Sequence, residues 1–169
     1  MASSTTRRAH PAPATTGTGT DRIRLARHLG LAGTALSVLG LGLSAYLTYT
    51  HYTAATALAC PEHGAINCVK VTTSSYAVQH GVPLVVLGLA FFVVTLALQL
   101  PPFWARPERW LRGARLGAAA VGAAAAVWLV WVELFRLDAI CLYCTGVHIV
   151  AVALFALTGV GTAATTPDS

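Results

Sequence analysis

Residues 139–160 read AICLYCTGVHIVAVALFALTGV, with no Asp, Glu, Lys or Arg and with two cysteines at CxxC spacing near one end. The next charged residue is Asp168. Roughly 20 mostly apolar residues are needed to cross about 30 Å of hydrocarbon, and this stretch meets that length. Working outward, three more runs qualify: 29–50, 82–100 and 116–135. A segment exposed to lipid must satisfy its own backbone hydrogen bonds, so these runs are read as helices rather than strands. The alternative is a buried soluble core. A chain that is 56% hydrophobic and 10% charged argues against it, since soluble domains carry about 25% charged residues. The expected fold class is therefore an all-α membrane protein, a four-transmembrane-helix bundle.

The formal net charge of +5 suggests nucleic acid until its placement is read. Arg7, Arg8, Arg22, Arg24 and Arg27 precede the first run, and Arg106, Arg109, Arg112 and Arg115 lie between the second and third. Only Lys70 and Arg136 fall elsewhere, so nine of the eleven basic residues belong to one side. Cytoplasmic loops carry the Lys/Arg excess in membrane proteins. The N- and C-termini are then expected in the cytoplasm, and residues 51–81 form a long outer loop. The basic excess is an orientation signal, and no nucleic-acid partner is expected.

The layout that follows is a disordered cytoplasmic tail at 1–27, a redox-competent membrane domain at 28–162 and a cytoplasmic tail at 163–169. The tail assignment rests on its Ser, Thr, Pro, Ala and Gly content. Ala57–Cys60 faintly resembles a lipoprotein cleavage site, but the apolar run before it is too long and ends too early for a signal core. Gly113, Gly117 and Gly122 are expected to allow close helix approach, and Trp104, Trp110, Trp128 and Trp131 to form interfacial belts. Glu133, Arg136 and Asp138 are read as a local ion pair. In the outer loop, Cys68 to His80 has enough apolar residues for a short surface helix.

The cysteines form two pairs, Cys60 with Cys68 in the outer loop and Cys141 with Cys144 in the CxxC. The charge pattern, which makes no use of cysteines, puts all four outside, where disulfides persist. Positions i and i+3 of a helix share a face within disulfide reach. Cys141 is expected in the first turn of the fourth span, with Asp138 as its N-cap. Unpaired N–H groups and the helix dipole there favour a thiolate. That makes the CxxC a redox element, and the loop pair a shuttle that swings between a soluble partner and it. Four cysteines allow three pairings, and the resting one stays open. Two other readings remain: a quinone- or haem-binding membrane protein with purely structural disulfides, and a thiol-based metal handler. The latter would add His51, His63, His80 or His148, and the outer placement disfavours it, so no metal ligand is assigned.

Cys60…Cys68, then Ser74-Ser75-Tyr76-Ala77 and Gly81-Val82-Pro83, then Cys141-Leu142-Tyr143-Cys144 and His148 resemble the vitamin K epoxide reductase family. The similarity runs from the first span to the end of the fourth. It implies a quinone-linked thiol–disulfide oxidoreductase whose catalytic residues are Cys60, Cys68, Cys141 and Cys144. Electrons would enter from an extracytoplasmic thioredoxin-fold protein at Cys60. They would pass through Cys68 and Cys141, and leave from Cys144 to a membrane quinone, menaquinone or ubiquinone. Ser74 stands where the family's pocket has a serine, with Ser75 as the neighbouring alternative. His148 matches a position that is tyrosine in the animal enzymes, and is either a hydrogen-bond donor to the quinone or a packed polar residue. The vitamin K-specific members carry an asparagine near Leu84, and none is present here, so quinone reduction is expected rather than epoxide reduction. With the chain ending at Ser169, the thioredoxin-fold partner is expected to be a separate protein.

Overall fold

The computed structural model describes residues 18–53, 58–60, 63–104, 106 and 108–165. The first helix, α1 (Thr18–Thr53), begins well before the apolar run. Residues 18–27, assigned above to a disordered tail, are therefore helical; residues 1–17 lie outside the described residues, as do 166–169. The extension has a physical basis. Once a helix is nucleated each added residue gains a hydrogen bond, and Asp21 in the first turn complements the helix dipole.

After α1 come a short helix α2 (Cys68–Thr72), a 3-10 turn (Ser75–Ala77) and a small antiparallel hairpin of β1 (Val78–Gln79) and β2 (Val82–Pro83). The hairpin's two-residue turn, His80–Gly81, has φ of 51° and 81°. Positive φ at both central positions is what the type I′ hairpin turn demands. By taking up Val82 and Pro83, the hairpin shortens the second apolar run from below. Its helix α3 spans Leu84–Gln99, 16 residues, or about 24 Å, less than the 82–100 expected. At the other end the residue before a proline is pushed out of the helical region. Leu100 accordingly has ψ 137°, and Pro101 opens the short helix α4 (Pro101–Trp104).

The long helix α5 (Arg109–Val132) starts earlier than the expected 116 and runs into a π-helical turn, Glu133–Leu137. It stops at Asp138, whose φ is 44°. The last helix, α6, is Leu142–Thr165. Asp138 thus closes α5 in the left-handed region and does not cap α6, contrary to expectation.

Three helical stretches are long and apolar enough to cross a membrane, Ile23–Thr53, Arg109–Leu137 and Leu142–Ala164, with α3 a shorter apolar helix. In packing, α1 lies against α3, α4 and α6, and α5 against α6 and α3. Two close approaches are made by phenylalanine rings. Phe92 lies where a Cβ on Gly40 would stand, and Phe91 where one on Gly122 would stand. Gly113 and Gly117 face open space, so the close-packing expectation for α5 holds at Gly122 alone. Phe92, Val150 and Leu154 form the mid-bundle core. The outer faces carry exposed Val38, Val121, Val127, Ile149 and Val160, a surface of the kind water disfavours.

At the Arg115 end of the bundle the buried groups are polar. Gln99 donates from Nε2 to Thr158 Oγ1 (2.9 Å) and accepts from Trp104 Nε1 at Oε1 (2.9 Å). The Arg115 guanidinium stacks 4.0 Å from the Trp104 ring centroid. Trp104 is therefore an interior residue and not part of an interfacial belt.

Candidate functional site

Cys68 is the first residue of α2, and the residue before it fixes that start. Asn67 is the N-cap, its side-chain oxygen accepting the Lys70 N–H at 2.7 Å. The chain just ahead of the cap is tied to the segment leading into α6. Ile66 pairs in parallel with Ile140. Asn67 N–H donates to the Ile140 carbonyl (3.1 Å), and Ile140 N–H donates to the Ala65 carbonyl (2.8 Å). One backbone bridge thus sets Cys68 and Cys141, each close to it in sequence, against each other. A freely swinging loop was expected; residues 65–67 are instead pinned.

Cys60 and Cys68 are joined by a disulfide with a Cα–Cα distance of 6.1 Å, and Cys141 and Cys144 are free thiols. All four belong to one apolar cluster centred on Leu47, Leu58, Cys68 and Cys141, with Cys60 and Cys144 packed against it. Cys68 and Cys141 have no exposed surface. Two tyrosines hold the residue before Cys60: Tyr143 Oη donates to the Ala59 carbonyl (3.1 Å), and Tyr46 Oη accepts the Ala59 N–H (3.3 Å). Their rings lie 5.0 Å apart.

Cys141 is not inside α6 but caps it. Its carbonyl accepts the Thr145 N–H, and its sulfur accepts the Cys144 N–H at 3.2 Å. The thiol fills the place that a Ser or Asp oxygen takes at an ordinary N-cap. A hydrogen bond from the Cys144 thiol, joined by backbone N–H groups, holds the Cys141 thiol below its ordinary range against the opposing pull of burial. The CxxC spacing thus makes one cysteine the acceptor and places the other where it supplies the donors.

Beside this pair lies a cleft with about 690 Å³ of empty space, its open mouth included. Cys144, His148 and Ser74 line it with Leu47, Val85 and Glu133. His148 is 7% exposed and its Nδ1 has no hydrogen-bond partner among the described residues. An orphaned buried nitrogen in a largely apolar cleft fits a planar ligand with carbonyl oxygens, which is the chemistry of a quinone. The Ser74 hydroxyl donates to the Val71 carbonyl at 2.9 Å, so in this arrangement it meets the cleft as an acceptor. Ser75 is exposed and does not line the cleft.

Sequence reasoning missed Glu133. The expected ion pair with Arg136 is replaced by an inward-turned carboxyl, 5% exposed, whose Oε2 accepts the Cys141 N–H at 3.4 Å. Arg136 lies instead over the Trp131 ring. The available signal was the rule that an ionisable residue in a spanning run is functional by default. The two tyrosines carried no such signal.

A helical bundle with apolar outer faces and a disulfide packed against a free CxxC defines a membrane thiol–disulfide oxidoreductase. The chain matches the vitamin K epoxide reductase family over residues 31–159 and belongs to that family. Its members are quinone-linked in general.

Proposed function

We propose that the chain reoxidises an extracytoplasmic thioredoxin-fold protein and passes the electrons through its two cysteine pairs to a membrane quinone. The observation that carries this reading is the packing of the Cys60–Cys68 disulfide and the Cys141 and Cys144 thiols in one cluster beside the cleft. A thiolate of the reduced partner attacks Cys60, and Cys68 leaves as a thiolate. The partner's second thiol then resolves the mixed disulfide, and the partner departs oxidised. When the CxxC is a disulfide, the Cys68 thiolate attacks Cys141, Cys144 leaves, and the Cys60 thiolate closes the loop disulfide again. The pairing seen here, loop pair oxidised and CxxC reduced, supports the stage that follows that transfer. A bound quinone, menaquinone or ubiquinone, accepts two electrons and two protons. His148 would hold one carbonyl from the cleft wall, which Ser74 also lines.

In this reading four segments cross the membrane, with α3 and α4 together making the second crossing. The arginine asymmetry orients both termini to the cytoplasm and places the cysteines and α2 outside. The membrane domain covers 28–162. Anaerobic addition of a reduced thioredoxin-fold protein and a soluble quinone to the purified protein tests this. Quinone absorbance should fall in step with oxidation of the added thiols, and a partner lacking its second thiol should accumulate as a covalent adduct on Cys60, because that thiol is what resolves the mixed disulfide. No quinone loss and no adduct at any partner concentration would overturn it.

A further inference from the structure

The quinone step moves protons as well as electrons, and the cysteines alone do not say by what route. Glu133 sits in the π-helical turn that ends α5, a local distortion common at functional sites. Its carbonyl accepts the Ala139 N–H (3.2 Å) and its carboxylate accepts the Cys141 N–H, so both its backbone and its side chain are tied to the segment that presents the CxxC. The titratable groups lining the cleft are His51 from α1, Tyr76 from the loop, Glu133, and Cys144 and His148 from α6; no Lys or Arg lines it among the described residues. A buried carboxyl without a facing cation is costly to keep for structure alone.

We propose that Glu133 carries the proton that must leave the CxxC dithiol and reach the quinone, inside the cleft it shares with Cys144 and His148. This rests on the electron route proposed above. The balance is as follows. The two thiols lose two electrons and two protons as the Cys141–Cys144 S–S bond forms. One thiol proton goes to the Glu133 carboxylate and on to a quinone oxygen. The other is released, and the second oxygen takes its proton from water at the mouth of the cleft. The quinone is thereby reduced to the quinol.

Glu133→Gln keeps the shape and the acceptor for the Cys141 N–H but cannot take up a proton. In the full-length purified protein it should lower quinone reduction about 100-fold, the lower end of general acid–base contributions, and flatten its pH profile. Thiol exchange at Cys60–Cys68 should stay within about twofold of wild type, showing an intact fold. Glu133→Asp should recover most of the lost rate. Without quinone, infrared difference spectra between oxidised and reduced protein should carry a carboxyl band that Glu133→Gln loses. Wild-type quinone reduction by Glu133→Gln overturns the proposal. So does an equal loss in both reactions, an aspartate variant as slow as the glutamine one, or a missing carboxyl band. If wild-type protein itself reduces no quinone, the electron route fails first and the proton route with it.

Discussion

At the Arg115 end of the bundle, Gln99, Trp104 and Thr158 spend their side-chain hydrogen bonds on one another, and Arg115 covers them by stacking on the indole. At the cysteine end, Glu133, Cys144 and His148 line an open cleft beside Cys141, and His148 Nδ1 has no hydrogen-bond partner among the described residues. Both ends bury polar groups among helices of similar composition. One end joins α3, α4, α5 and α6 into a fixed knot. The other leaves hydrogen-bonding capacity facing a space. Arg115 Nε and Nη1 also lack a hydrogen-bond partner among the described residues, so an unpartnered polar atom does not by itself mark a site; what sets the cysteine end apart is that its polar groups line a cleft beside free thiols.

Three measurements can break or sharpen that contrast. The largest effect is expected from Cys144→Ala. It should reduce quinone turnover on the order of 10³-fold or more, the scale of losing a covalent nucleophile, while exchange between Cys60–Cys68 and a partner persists. Gln99→Leu should act in the opposite sense. Leaving Trp104 Nε1 and Thr158 Oγ1 without their present partner should cost about 1–3 kcal/mol of stability, read by thermal unfolding in detergent, with quinone turnover per folded molecule unchanged. A turnover loss exceeding the stability loss would make the knot part of the mechanism. The smallest effect concerns pH. Because the hydrogen bond from Cys144 keeps the Cys141 thiol below its ordinary range, the ultraviolet thiolate absorbance of the reduced CxxC should begin to rise through a midpoint lower than that of a free cysteine. In Cys144→Ala the midpoint should move up. An unchanged midpoint would rule out the Cys144 thiol as the cause and leave the backbone N–H cap, which alanine keeps, to account for the lowering.

Much of the fold was legible because lipid imposes a coarse rule: long stretches without charge are helices, and arginines mark their ends. The pairing of the cysteines into one cluster was legible for the same reason, since Cys60–Cys68 and the CxxC fall on one side of every apolar run. What escaped lay at the ends of runs, where local backbone chemistry decides. Val82 and Pro83 read as the start of a span, yet His80–Gly81 takes them into a hairpin. Asp138 read as an N-cap because its residue type suits one, yet a sulfur three residues later does the capping. Glu133 read as a surface ion because Arg136 is one turn away. The π-helical turn rotates it inward, and no periodicity in the sequence announces that turn. The resemblance put Ser74 first, with Ser75 as the neighbouring alternative. The fold sets Ser74 on the cleft wall and leaves Ser75 exposed.

The sulfur cap on α6 has a thermodynamic consequence. The Cys144 N–H bond to Cys141 is strongest when that sulfur is a thiolate, and it weakens once the sulfur's electrons are shared in an S–S bond. The helix end therefore favours the reduced form of the pair over the oxidised form. Stabilising the reduced form raises a disulfide's reduction potential. In the proposed relay, the first turn of α6 would thus bias the CxxC to accept electrons from the loop pair, so that the helix anchoring the CxxC would also set the direction in which current flows through it.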